Sequence, residues 1–181
     1  AGNRVIFMVE YQRKDRYDIN DLRDIMSILR SPQGCPWDRE QIHKSIRNDF
    51  IEEVYEAIEA IDLEDTELLK EELGDVLLQI IFHCRIEEEK SCFDFDDICD
   101  ELCKKLIIRH PHVFGDITVS DSGEVLKNWD SIKKETKGQT SYTETLTSVA
   151  KSLPALMRAQ KVGKRAMRAG MDFSCVSDAV E

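Results

Sequence analysis

Apolar positions recur along this chain at helical intervals, and nowhere do they alternate strictly with polar ones. Leu22, Ile25, Met26 and Leu29 stand at i, i+3, i+4 and i+7, which predicts a first helix with Asn20 as its N-cap. The run Ser31-Pro-Gln-Gly-Cys-Pro-Trp37 must end it, because proline and glycine continue a helix only at a cost. Asp38 followed by Gln41 reads as a capping box for a new helical segment. A second long helix is expected over 45–61, its apolar stripe formed by Ile51, Val54, Tyr55, Ile58 and Ile61 or Asp62. A third, over 66–90, is the most hydrophobic: Leu69, Leu73, Leu77, Ile80 and Cys84 form a stripe that Leu78 and Ile81 widen. A fourth starts near Asp94 or Asp96, carries Phe95, Ile98, Leu102 and Leu106, and stops at His110-Pro-His-Val-Phe-Gly115. A short helix over 124–136 presents Val125, Leu126, Trp129 and Ile132. A linker at 137–141 precedes a last helix over 153–169, with Leu156, Ala159 and Met167 towards a partner.

These elements imply an all-α fold, a helical bundle with a helical tail. Only 8 Gly and 4 Pro occur in 181 residues, too few turn signals for a many-stranded sandwich or barrel. Residues 1–17 show no periodicity and are set aside as an appended, linking or disordered start.

Charge narrows the partners. The formal net charge of -11 disfavours binding to nucleic acid, which depends on neutralising phosphates, and docking on an anionic membrane. No apolar run approaches the roughly 20 residues that span a bilayer. The six cysteines include no CxxC pair and follow no signal-peptide pattern, so reduced, mostly buried thiols in a cytoplasmic protein are expected. An acidic protein that binds a polyphosphate would need a divalent cation and a local basic cluster.

Candidates for both are present. Glu53-Val-Tyr-Glu56 and Glu72-Leu-Gly-Asp75 each set two carboxylates at i, i+3, on one face of a helix. Glu53 and Glu56 share their face with Ala57 and Ala60, small residues that admit a closely packed neighbour. On the third helix a narrow polar stripe, Glu72, Asp75, Gln79 and His83, interrupts an otherwise apolar circumference. Gly74 sits mid-helix, at about 1 kcal/mol against Ala, and close backbone approach would compensate. Four acids brought together repel one another, and a divalent cation relieves that repulsion. Oxygen ligands without His or Cys suit Mg²⁺ or Mn²⁺ rather than zinc. Solvated helices carry the same spacings, so the pairs alone leave that alternative open.

The basic complement is Lys105 and Arg109, at i, i+4, with Lys133 and Lys134 beyond. Such groups neutralise phosphate oxygens, or serve a helix C-terminus. Trp129 offers a surface for stacking on a base, or a core anchor. His110 and His112 read as loop-packing residues.

With these residues assembled, the chain from about Asp21 to Gly138 resembles the MazG nucleotide pyrophosphohydrolases of the all-α NTP pyrophosphatase superfamily. The matching segments are Gly34-Cys-Pro-Trp-Asp-Arg-Glu-Gln41, Glu52-Glu-Val-Tyr-Glu56, Glu71-Glu-Leu-Gly-Asp75, Arg109-His-Pro-His-Val-Phe-Gly115 and Asn128-Trp-Asp-Ser-Ile-Lys133. Leu153-Pro-Ala-Leu-Met-Arg-Ala-Gln160 and Gly170-Met-Asp-Phe173 look like the segment after a first MazG module. The resemblance implies a four-helix-bundle-like module over 18–138, a linker and C-terminal helices over 139–181, and assembly as a homodimer. It implies hydrolysis of an NTP or dNTP to the monophosphate and pyrophosphate, as in nucleotide-pool house-cleaning. It carries the Mg²⁺ ligands onto Glu53, Glu56, Glu72 and Asp75, and nucleotide contacts onto Lys105, Arg109, Trp129, Lys133 and Trp37. A carboxylate outside the ligand set, Glu52 or Glu71, is the candidate for positioning the water. Two-module members carry a second ExxE…ExxD repeat, whereas this sequence shows one, which suits a fragment, a one-module relative or part of a fusion. The contrasting readings are a non-catalytic helical dimerisation or regulatory module, and a relative with a narrower substrate such as phosphoribosyl-ATP or dUTP.

Overall fold

Asp18, not Asn20, opens the first helix of the structure, a computed structural model that describes residues 11–136 and 141–171 and, within these, omits the side chains at 127, 130, 134 and 135. The Asp18 carboxylate accepts from the Asn20 and Asp21 amides at 2.8 and 3.2 Å, while the Asp21 carboxylate accepts from the Asp18 amide at 3.0 Å. This reciprocal box satisfies donors at both ends of the turn, and Asn20 has no acid three residues on with which to build one. Helix α1 (Ile19–Leu29) follows.

The next turn runs through Gly34, and only glycine fits there. A Cβ at this position would lie 2.2 Å from the carbonyl oxygens of both Ile28 and Leu29. The short α2 (Pro36–Glu40) starts with Pro36 in its first turn, where a missing N–H costs nothing. Asp38 is inside that turn and caps nothing, and the Gln41 side chain donates from Nε2 to the Trp37 carbonyl at 2.9 Å, so the expected Asp38/Gln41 box is not formed.

Helices α3 (Arg47–Asp62) and α4 (Thr66–Glu88) form the central hairpin. Three residues join them, so the two run antiparallel and adjacent. Glu64 takes the left-handed conformation (φ 55°) that lets the chain reverse, and the Asp65 amide returns to the Ala60 carbonyl at 3.1 Å. Asp65 then caps α4 by accepting from the Glu67 and Leu68 amides.

The core of this first unit, residues 1–102, is built where α1 and the 41–46 connector meet α4. Met26, Ile46, Ile81, Phe82 and Ile86 form its buried centre, with Leu22, Leu77, Leu78 and Phe95 packed around it. Arg30 ties the connector down. Its guanidinium donates to the Asp38 and Gln41 carbonyls, makes two 2.8 Å bonds to the Glu89 carboxylate, and lies 5.3 Å from the centre of the Phe82 ring. At the outer edge Arg23 forms a bidentate pair with Asp96 at 2.9 and 3.0 Å.

The apolar stripes divide differently from the expectation. Ala57 and Ala60 are the buried residues of α3, whereas Ile51, Val54, Tyr55, Ile58 and Ile61 are exposed, Ile51 to 51% and Ile61 to 56%. The small residues let α4 approach closely, and the larger apolar face looks away from it. On α4, Leu73 is likewise exposed, and a Cβ at Gly74 would meet nothing within 4 Å, so no neighbouring backbone explains that glycine. Among the described cysteines only Cys84 is buried; Cys35 and Cys99 are half-buried and Cys92 and Cys103 exposed, against the expectation of mostly buried thiols. Cys175 lies outside the described residues.

Helix α5 (Phe95–Arg109) begins in this unit and ends in the second, residues 103–181. There Pro111–Phe114 form the single turn α6, and α7 spans Ser122–Thr136. The expected linker falls largely outside the described residues; Ser141, at its end, caps α8 (Tyr142–Thr147) in a box with Glu144. Helix α9 (Ala155–Arg168) packs on α8, where Arg165 donates to Ser148 Oγ at 2.8 Å and Val149 is buried. The described residues contain helices and no strand, and no helix among them is long and apolar enough to cross a membrane.

Candidate functional site

The polar side of α4 is the side that faces α3. Because α3 and α4 are antiparallel and close at Ala57 and Ala60, Glu53 and Glu56 of α3 and Glu72 of α4 come to one level of the seam. Oxygen atoms of Glu53, Glu56 and Glu72 all lie within 4.8 Å of one another. Glu53 and Glu72 are half-buried and Glu56 is exposed, so the cluster sits at the rim of the helix pair. Burial, and then the charges of Asp75 and Glu56, hold the Glu53 carboxyl above its ordinary range. Burial also raises Glu72, followed by the charges of Glu56 and Asp75. Asp75 thus completes the electrostatic cluster, although it is not among the three residues whose oxygens converge.

This donor set fits a hard divalent cation. It offers carboxylate oxygens alone, from a rigid pair of helices, with an open side for water and phosphate oxygens. His and Cys, which would favour zinc, are absent from the cluster.

Further along the same seam the polar stripe continues into a second group. Gln79 is 8% exposed. His83 packs on Phe50, ring centres 5.6 Å apart, and stacks on His43 at 5.0 Å with the two Nδ1 atoms 2.7 Å apart. The other nitrogen of His43, Nε2, meets the Glu87 carboxylate. Glu87 also accepts from Lys90 at 2.6 Å; the Lys90 ammonium and His43 hold its carboxyl down at about 2. Gln79 and His83 were visible in the sequence as part of the polar stripe. His43 was not, because it lies in the irregular connector, where no periodicity assigns a face.

The remaining expected residues are distributed over both units. Trp37, on α2, is 58% exposed. In the second unit Lys105 is exposed and Arg109 half-buried, one turn apart near the end of α5. Trp129 stands on α7 with its ring centre 6.2 Å from that of His110, and Lys133 follows it by one turn. His110 donates from Nδ1 to the Leu106 carbonyl at 2.6 Å and lies against His112, a packing role at the end of α5.

Comparison with known proteins gives a concordant set of relatives. Residues 41–114 match the MazG nucleotide pyrophosphohydrolase domain. Over 164 residues the chain is 44% identical to the nucleoside triphosphate pyrophosphohydrolase of Escherichia coli (strain K12), covering 90% of this chain and 62% of that protein. It is 48% identical over 148 residues to the uncharacterized protein YabN of Bacillus subtilis, covering 82% of this chain and 30% of YabN. The nucleoside triphosphate pyrophosphohydrolase/pyrophosphatase MazG of Thermotoga maritima is 44% identical over 153 residues, 84% of this chain and 58% of that one. The crystal structure of a mazG-related protein from Thermotoga maritima superposes with a TM-score of 0.54 at 25% identity, over 64% of this chain and 99% of the other. The chain therefore spans 62% of the Escherichia coli relative and 30% of YabN.

Proposed function

We propose that the chain is a MazG nucleotide pyrophosphohydrolase and hydrolyses nucleoside triphosphates, ribo or deoxy, to the monophosphate and pyrophosphate in an Mg²⁺-dependent reaction; the match of residues 41–114 to that domain and the 44% identity to the Escherichia coli relative support this reading. The observation that carries this reading is the convergence of Glu53, Glu56 and Glu72 within 4.8 Å, with Asp75 acting on the same group. These four acids hold the cation, and Mn²⁺ suits the same oxygen donors. When bound, the cation polarises the phosphate oxygens and lowers the pKa of its water. Lys105 and Arg109 bind the triphosphate and offset the charge that builds on its oxygens. Trp129 stacks on the base, with Trp37 and Lys133 as further nucleotide contacts. The catalytic module is 18–138, of four-helix-bundle type, followed by the helical segment at 139–181.

The exposed stripe of α3 supports a homodimer. Five large apolar residues on one face of a helix, opposite the face that holds the acids, make a surface that water does not favour and a second copy can cover. The same stripe supports the alternative, a helical dimerisation module without catalysis.

Pyrophosphate release from a panel of NTPs and dNTPs, with and without Mg²⁺, separates the two. Catalysis predicts metal-dependent release that Glu56→Gln lowers by more than about 100-fold, beyond the range typical of outer-shell partners. Release that is absent for every nucleotide, or indifferent to Glu56→Gln, rejects it.

A further inference from the structure

Gln79 Oε1 is buried in the α3/α4 seam without a hydrogen-bond partner. Its position follows from the register of the hairpin. Glu72, Asp75, Gln79 and His83 recur at i, i+3, i+7 and i+11 on α4 and so share one side of it. At one level of that side Glu72 meets Glu53 and Glu56, and Asp75 is the strongest single charge on Glu53. At the next level His83 packs on Phe50. Gln79 falls between the two levels, with Glu53 and Phe50 as the flanking register positions of α3. A phenyl ring has no donor, and an ionised carboxylate only accepts. The seam therefore brackets a buried acceptor with groups that cannot donate to it, beside a cluster suited to a hydrated cation.

We infer that Gln79 is a positioning residue of the metal centre, its Oε1 accepting a hydrogen bond from a water of the cation's hydration shell next to Asp75. Magnesium releases its waters reluctantly and keeps several of them when bound by carboxylates, so the site has donors to offer. Partners of this outer kind orient what the metal holds. The inference rests on the reading of the four carboxylates as a divalent-cation site.

Titration calorimetry with Mg²⁺ alone, paired with thermal melts without metal, tests it on the wild type, Gln79→Met, Gln79→Glu and Asp75→Asn. Gln79→Met keeps the length of the side chain and removes the acceptor. It is expected to melt no lower than wild type and to bind Mg²⁺ roughly 10- to 100-fold more weakly. Gln79→Glu, which restores an acceptor at that place, is expected to regain affinity. Wild-type affinity in Gln79→Met overturns the inference while leaving the carboxylate site standing, as long as Asp75→Asn loses binding. Equal weakness of the Met and Glu variants, or a Gln79→Met melting point well below wild type, also overturns it, since Gln79 would then be structural. No Mg²⁺ binding by wild type, or full binding by Asp75→Asn, rejects the cation site itself.

Discussion

His43 and His83 face each other through their Nδ1 atoms, 2.7 Å apart, so one ring must donate there and the other accept. Since His43 Nε2 meets the Glu87 carboxylate, the consistent neutral arrangement has His43 donating to Glu87 and accepting from His83 at Nδ1. A second proton on His83 would leave no better contact and would add charge beside His43. Burial, and then the charge of His43, lower the His83 pKa from 6.5.

That relationship fixes a pH dependence. Below pH 6.5 the unfolded chain binds a proton at His83 before the folded chain does, so stability present above that pH is lost as pH falls. Glu87, held at about 2 against 4.5, adds stability above pH 4.5 that is lost as pH falls towards 2. Metal-free melts of wild type should decline from pH 7.5 to 5.5, and the decline should be shallower in His83→Phe. Parallel curves would sink this account of the pair.

Arg30→Met should destabilise the first unit by about 2 kcal/mol or more, because the Glu89 carboxylate and the Asp38 and Gln41 carbonyls lose a charged donor together. Urea unfolding measures it. Glu89→Gln should cost less, since Arg30 keeps its carbonyl partners; the reverse order would contradict the anchoring role.

Gly34→Ala should cost about 1–3 kcal/mol, the range for forcing atoms into filled space. The clash here is with two backbone carbonyls, which cannot rotate aside as a side chain would. A neutral melting temperature would show that the turn can shift without penalty.

Much of this was legible in the chain, and the misses have physical causes. Ala57 and Ala60 beside Glu53 and Glu56 correctly signalled a close helix on the acidic side, because only small residues permit that approach. The Ile51 stripe shows the limit. Periodicity reveals that a helix has an apolar face, not which element covers it, and here α4 takes the smaller face. Arg30 was invisible for another reason: its partners at Asp38, Gln41 and Glu89 are joined by tertiary structure, and no spacing along the sequence links them.

Ile58→Glu, at the middle of the exposed stripe, should weaken self-association by at least about tenfold, since a charge placed in an apolar contact is left without a partner. Sedimentation velocity over a concentration series reads it directly. A wild type that is monomeric throughout would remove the proposed homodimer.

A helix lying on a protein surface ordinarily has a permissive flank, where substitutions pass unnoticed. The two-sided loading of α3 leaves it little of one: acids and alanines fill the flank towards α4, and isoleucines, a valine and a tyrosine fill the other. With the outer flank covered in the proposed homodimer, a saturation scan of residues 47–62 should lack the alternating tolerance of a typical surface helix, with sensitive positions recurring around most of its circumference.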